Sequence, residues 1–516
     1  MILDALEDLA SNVPWIPIII IIVVAYLAFP QSRFGGFPIV NGRRPWETTD
    51  AGAKRRFRFD GSCLLRNGFK KSSIFSIITD MGHKLVVSGK YTEDLRDESG
   101  LSHYKGIGSD FVADVPGFES FSLGSLHDSI LRDVISVVTR ELGQFTQPLS
   151  VELDRLLQRY WSNTTDWHEI SLNETMLQMI TRTSSLVFVG EPMCRDPKWL
   201  EITTNYIMRR HEATSALHMW PKRSRWVVHW FLPSARKLRA EIHRAREIIM
   251  PLLEARKREK AATVDAGPVY QKKKELFSSL IWVDDYAGSK NLEYDPALVQ
   301  LRLANTAIHT SADLVVKVLM NLCENQQVLQ DVRKEIISVV TEHGWDTGSL
   351  HKLRLMDSVM KESQRLHPLT AAPWSRFTER AITLSDGTQL PSGVPILITD
   401  DLMRDPELYP NPDKFDGYRF LRMREITAQA NSAPFVNPSS CHVAFGFGKY
   451  ACPGRFFVAN EVKIALCHIL LKYDLRIAGG GEGKGESPKI FSTGFITYRD
   501  PCTLIEVKRR DEELKI

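Results

Sequence analysis

The run Phe445-Gly446-Phe447-Gly448-Lys449-Tyr450-Ala451-Cys452-Pro453-Gly454 constrains this chain more than any other stretch, because its glycines confine one cysteine to a tight loop just before an apolar, helix-like segment. Gly448 and Gly454 permit φ > 0 and close backbone approach, so main-chain N–H groups can be directed at the Cys452 sulfur. Such donors favour the thiolate over the thiol, and a thiolate is a metal ligand. At ordinary residue frequencies, Phe, Gly, Cys and Gly at four set positions arise by chance in about one chain in 10³ of this length. A buried free cysteine in a glycine-rich turn is the competing reading.

Two other stretches carry chemistry-bearing side chains. Glu362 and Arg365 lie in MKESQRLHP, three apart on a helix that His367-Pro368 would end, so both face one side. Alone, such a pair reads as a solvated ion pair contributing little. Residues 301–318, LRLANTAIHTSADLVVKV, predict a long helix with Ala304, Ala307 and Thr310 on closely spaced turns. Small residues let a flat cofactor approach the backbone, and a hydroxyl bonding back to a carbonyl can open the helix.

The pattern F-x-x-G-x-x-x-C-x-G resembles the haem-binding loop of the cytochrome P-450 superfamily. That resemblance implies a haem b whose axial ligand is Cys452, a thiolate that pushes electron density to the iron. It also implies a cofactor loop of Phe445, Gly448, Lys449, Tyr450 and Gly454, with Phe445 packed near the macrocycle. The family usually has Arg or His two residues before the cysteine; here Tyr450 can donate a hydrogen bond but carries no positive charge, and Lys449 stands beside it as a substitute. Glu362 and Arg365 match the E-x-x-R helix, and Pro412 to Phe420 match P-x-x-F-x-x-x-R-F, which implies a buried ion network of Glu362, Arg365 and Arg419 under the haem loop. Thr310 stands at the threonine of the oxygen-binding helix and His309 where an acid is usual; His309 reads either as a proton donor or as a core histidine. Arg376 in PWSRFTER is placed like the propionate-binding arginine, with a surface arginine as the rival. His127 and Arg132 could serve likewise, although the W-x-x-x-R spacing is absent.

At 516 residues and 43% hydrophobic content the chain can bury a large core. A net charge of +4 leaves no nucleic-acid footprint in bulk composition. Seven scattered cysteines without a C-x-x-C pair speak against a disulfide framework or zinc site and for a reducing compartment. Residues 13–29, VPWIPIIIIIVVAYLAF, would form a helix about 25 Å long, near the bilayer core of about 30 Å, and basic residues follow it from Arg33 onward. A cleaved signal peptide competes, but no basic n-region precedes the run and no small-residue cleavage site follows it. The expected layout is a lumenal N-terminus (1–12), a transmembrane anchor (13–30), a proline-containing hinge (31–46) and a catalytic domain (47–516). That places a single-pass protein in the endoplasmic reticulum membrane, touching lipid, with its catalytic domain in the cytoplasm.

Helical periodicity dominates 123–160, 175–189, 235–260 and 297–325, while 84–88, the Asp386-Gly387 hairpin and the tail from 473 to 507 read as strands. Residues 47–115 mix short apolar runs with turn signals. Basic residues with Gly267-Pro268 make 256–274 an exposed loop or frayed helix end, and the glycine-rich 478–485 lacks the Ser or Thr of a P-loop. The fold class is mainly α with small β-sheets, a cytochrome P-450 fold in a single large domain behind the membrane helix.

The resemblance implies a haem-thiolate monooxygenase of the ascomycete microsomal type, using O2 to hydroxylate or further oxidise a lipophilic secondary metabolite. A terpenoid or meroterpenoid is the first expectation, an indole alkaloid or polyketide the next. No flavin or ferredoxin module is visible in the sequence, so electrons are expected from an NADPH-cytochrome reductase, met by a basic face including Lys449 and Arg455. Expected pocket segments are 105–121, 301–310, 370–374 and 491–496. A haem-thiolate isomerase or dehydratase without O2 use, and a non-catalytic haem sensor, remain the alternatives.

Overall fold

In the computed structural model the described residues are 34, 36–121, 126–265, 278–479 and 490–516. The expected anchor lies outside them, and among the described residues no helix is long and apolar enough to cross a membrane. Helices of nine residues or more are α1 Ala51–Phe69, α2 His103–Phe111, α3 Leu126–Arg140, α4 Leu142–Trp161, α5 Leu172–Phe188, α6 Pro197–His218, α7 Pro233–Asp265, α8 Ser279–Lys290, α9 Pro296–Glu324, α10 Gln326–His343, α11 Arg354–Leu366 and α12 Arg455–Lys472. The strands are β1 Ile74–Thr79, β2 Gly82–Val87, β3 Leu101–Ser102, β4 His168–Ser171, β5 Trp374–Thr378, β6 Ile382–Thr383, β7 Gln389–Leu390, β8 Pro395–Ile398, β9 Tyr473–Ile477, β10 Ile490–Thr493, β11 Ile496–Arg499 and β12 Leu504–Arg509.

The architecture is mainly helical with small sheets. α9 starts where Asp295 accepts from the amides of Ala297 and Leu298 and Pro296 takes the first helical position, two start signals acting together. It is buried along most of its length and, with α4, α5, α10, α11 and α12, builds the largest apolar cluster. A second cluster joins α6, α7 and the start of α9. The five-stranded sheet runs β1-β2-β8-β5-β3, with only β2 and β8 parallel. The segment around residues 38–40 lies along its edge, Val40 donating to the Ser76 carbonyl at 3.0 Å and Ser76 back to the Pro38 carbonyl at 2.9 Å.

Several expectations change. The periodic stretch 123–160 is two helices that break at Glu141. The region 47–115 contains α1, which the sequence reading did not place. Its glycines lower helix propensity, yet contacts require them: a Cβ on Gly61 would stand 2.1 Å from the Gly494 carbonyl oxygen, and one on Gly68 2.2 Å from the Phe75 ring. At Asp60 the helix kinks, with φ −123° and ψ 19°. From 256, α7 continues as helix to Asp265, and 266–277 lie outside the described residues.

Candidate active site

Cys452 sits between a short 3-10 turn, Gly448–Tyr450, and the start of α12. Its amide donates to the Phe445 carbonyl at 2.7 Å, closing the loop on itself. Positive φ occurs at Gly446 (72°) and Gly448 (67°); a Cβ on Gly448 would stand 2.7 Å from the Arg96 carbonyl oxygen. Gly454, expected to need such freedom, has an ordinary φ of −81° and caps α12 instead. Burial pushes the Cys452 thiol up, opposed by the amides of Gly454 and Arg455 and by the Arg455 charge. Those are the groups that would favour thiolate once a cation sat against the sulfur. Arg455 is turned inward, donating to the Cys452 carbonyl at 2.8 Å and the Val436 carbonyl at 2.9 Å.

The Cys452 loop floors a cavity of about 500 Å³ whose opposite wall is α9. Phe445, Gly454, Lys449 and Tyr450 line it, as do Arg302, Leu303, Thr306, Ala307 and Thr310. Thr310 donates back to the carbonyls of Thr306 (2.9 Å) and Ala307 (3.1 Å). Ala304 is buried away from the cavity, and of the expected pocket segments neither 105–121 nor 491–496 contributes lining residues. His309 is not a lining residue. It bonds the Thr204 carbonyl on α6 at 3.0 Å, and burial holds its pKa below the usual histidine value, which is the geometry of a core histidine.

One edge of the cavity is rich in unanswered donors. Along β5 the side chains alternate, so Trp374 and Arg376 fall on one buried face. The Trp374 indole N–H is buried and, among the described residues, has no acceptor. Arg376, only 4% exposed, donates to His103 Nδ1 (2.8 Å) and the Ser375 carbonyl (2.9 Å), and among the described residues it has no carboxylate partner. Burial brings its pKa down to about 10. The Arg376 guanidinium lies 4.9 Å from the Tyr450 ring centroid and the Lys449 ammonium 5.1 Å, so the tyrosine gives these cations an aromatic face where the family usually has a charge. Arg132 also lines this edge and donates to the Tyr104 hydroxyl at 2.6 Å. The His127 side chain is outside the described residues. Two carboxylates of a haem would satisfy these donors, so the residues present fit that group.

Beneath the loop, Glu362 and Arg365 are fully buried and joined at 2.8 and 2.9 Å, while Arg419 reaches both Glu362 oxygens at 3.1 Å. Arg365 also holds the Met403 carbonyl and Arg419 the Pro410 carbonyl. The pair that looks like a surface bridge in isolation is thus a three-membered interior network tying α11 to the segment before Cys452.

Sequence reasoning missed His103, Tyr104, Asp313, Lys317 and Gln364, all of which line the cavity. A helical glycine was the available signal for the first two: a Cβ on Gly106 would stand 2.9 Å from the Arg376 Cα, so α2 lies directly on β5. Asp313 is one turn beyond Thr310 and paired with Lys317, and burial raises its carboxyl pKa.

The family model described as Cytochrome P450 matches residues 132–499. Cytochrome P450 monooxygenase pyr9 of Aspergillus fumigatus is 49% identical over 98% of this chain and 97% of its own length. Cytochrome P450 monooxygenase ptmU of Penicillium ochrochloron is 39% identical over 95% of this chain and 94% of its own, and fumitremorgin C monooxygenase of Neosartorya fischeri 37% identical over 96% and 95%. With matches of that extent and the Cys452 loop in place, the chain belongs to the cytochrome P450 superfamily and is a P450 monooxygenase, a family whose haem iron carries a cysteine thiolate.

Proposed function

We propose that this monooxygenase hydroxylates or further oxidises a lipophilic secondary metabolite, a terpenoid or meroterpenoid, with electrons from NADPH through a separate reductase. The observation that carries it is a single cavity with Cys452 on one wall and Thr310 on the other, closed by Leu131, Ile135, Phe188, Leu303 and Leu314. The bound haem supplies dioxygen activation at its iron. Around it the side chains divide the work. Arg376, Trp374 and Arg132 hold the carboxylates, and the apolar wall excludes water and orients the substrate. The Thr310 hydroxyl, spending its proton on backbone carbonyls, keeps its oxygen available to accept and pass a proton. Asp313, which lines the cavity one turn beyond Thr310 and is paired with Lys317, is the nearby acid that His309 is not.

The same reading places the protein on the endoplasmic reticulum membrane, body in the cytoplasm. Its support is the uncharged run 13–29 and a set of exposed aromatics, Trp46, Trp220, Trp226, Trp230 and Phe231, of the kind that sit at lipid interfaces.

An absorption spectrum of the reduced, carbon monoxide-bound protein tests the ligand, and metabolite profiling of a strain lacking the gene tests the substrate. Thr310→Ala is expected to lower product per NADPH by about 10²-fold with haem loading unchanged, and His309→Gln to change it by less than about twofold. Product formed without NADPH consumption overturns the monooxygenase step for this substrate.

A further inference from the structure

A second cavity, of about 690 Å³, shares no lining residue with the first and lies across the wall made by α2 and β5. His103 and Tyr104 of α2 and Trp374 and Arg376 of β5 face the haem slot; Ser109, Asp110 and Phe377 of the same elements face the second cavity.

Its charges do not balance. The lining includes Arg43, Lys54, Lys84, Lys222 and Arg225 but only Asp50 and Asp110 as acids. Asp50 is taken by Arg43 at 2.6 Å and His83 at 3.1 Å, and Asp110 by Lys84 and, at 2.7 Å, the Ser375 hydroxyl. Lys54 reaches only a carbonyl, that of His218 at 2.6 Å, and Arg225 the Trp220 carbonyl at 3.1 Å; among the described residues neither they nor Lys222 has a carboxylate at ion-pair distance. Lys54 and Arg225 are half-buried, and burial lowers the pKa of each. His218 lines the same cavity, 2% exposed, and among the described residues its Nδ1 has no hydrogen-bond partner. Burial first, then the charges of Arg225, Lys54 and Lys84, bring its pKa down to about 3 against the hydrogen bond to the Asp110 carbonyl. Beyond ion-pair distance Lys54 feels Asp50 and Asp80, and Arg225 feels Asp114, yet burial outweighs them at both sites. Partly desolvated cations with no acid in direct contact are costly unless an anion joins them.

The rim is apolar. Ile39, Met219 and Trp220 are 42%, 53% and 46% exposed, and Phe34, which follows the apolar run 13–29 by five residues, is buried in the same lining.

We propose that this cavity binds one anionic phospholipid, its phosphate among Lys54, Arg225 and Lys222 and its acyl chains along Ile39, Met219 and Trp220. The headgroup neutralises the cation excess, and the chains cover the exposed rim. Nothing in this step depends on haem chemistry, so it is read by binding rather than turnover.

The test titrates full-length holoprotein in neutral detergent with dihexanoylphosphatidylglycerol, dihexanoylphosphatidylcholine or inorganic phosphate and follows the thermal midpoint. Expected is a saturable rise with the glycerol lipid, none with the choline lipid, and binding of phosphate at least about tenfold weaker, since it lacks the chains. The double variant Lys54→Gln, Arg225→Gln should weaken the glycerol lipid by about tenfold or more, two charge-assisted contacts being lost, while Arg223→Gln, outside the lining, keeps it. Should the double variant fail to load haem, Lys222→Gln at the exposed rim and native mass spectrometry of lipid retained by the wild type give the same reading. Equal response to both lipids, equal affinity for phosphate, or undiminished binding by the variants overturns the proposal.

Discussion

Three arginines of this protein are almost equally buried but differ in what surrounds them. Arg365 and Arg419 share the Glu362 carboxylate, with both guanidinium groups anchored further by backbone carbonyls. Arg376 has a neutral histidine, a carbonyl and two aromatic faces, and among the described residues no acid. A buried cation whose counter-charge belongs to the same chain is part of the scaffold. One whose counter-charge is missing marks where a ligand's charge goes. The second cavity repeats that condition in weaker form: among the described residues Lys54 and Arg225 have no carboxylate at ion-pair distance, only Asp50, Asp80 and Asp114 further off.

The comparison breaks most easily at Glu362. Glu362→Gln leaves two buried guanidinium groups facing a neutral amide and should cost about 3–5 kcal/mol, read as a fall in denaturant midpoint with or without haem. If stability held, the network would not be the scaffold described. Arg376→Met should behave oppositely in the haem-free protein, where losing an unpaired buried cation is neutral or stabilising. In the loaded protein the variant should hold haem more weakly by about 2 kcal/mol, a charge-assisted bond having gone, measured by haem transfer to an acceptor protein. Destabilisation of equal size in both states would place Arg376 with Arg365.

The smallest expected effect is a pH dependence at His103. Burial and the adjacent Arg376 lower its pKa to about 4, below the usual 6.5 of the unfolded chain. The unfolded state therefore binds the extra proton first, so this contribution is complete above pH 6.5 and declines as pH falls toward 4. The slope is at most about 1.4 kcal/mol per pH unit. Denaturant midpoints of the haem-free protein at pH 7 and 5.5 should differ less in His103→Gln than in the wild type; an unchanged difference would mean that His103 already carries charge beside Arg376.

Much of the site was legible because its signals are local. The Cys452 loop, the Glu362–Arg365 spacing and the periodicity of 301–318 each depend on residues within a few positions of one another. α1 was hidden because Gly61 and Gly68 look like breakers until Gly494 and Phe75 are seen against them. Gly454 was misjudged for the opposite reason: glycine allows a positive φ without requiring one. His103 and Tyr104 reach the cavity through α2 packing on β5, a contact between segments 273 residues apart at His103 and Arg376. No periodicity encodes that. The two readings of His309 were separable only by which neighbour it met, and that neighbour is Thr204.

From its sequence alone this chain determined its helical class, its thiolate loop, its family resemblance and an apolar run long enough to span a bilayer, because periodicity, loop sterics and hydropathy are properties of contiguous residues. Only the tertiary structure decided that Arg365 touches a carboxylate while, among the described residues, Arg376, Lys54 and Arg225 do not, and that two cavities share one wall. Charge compensation depends on distance and desolvation in space, and neither exists until distant segments have packed together.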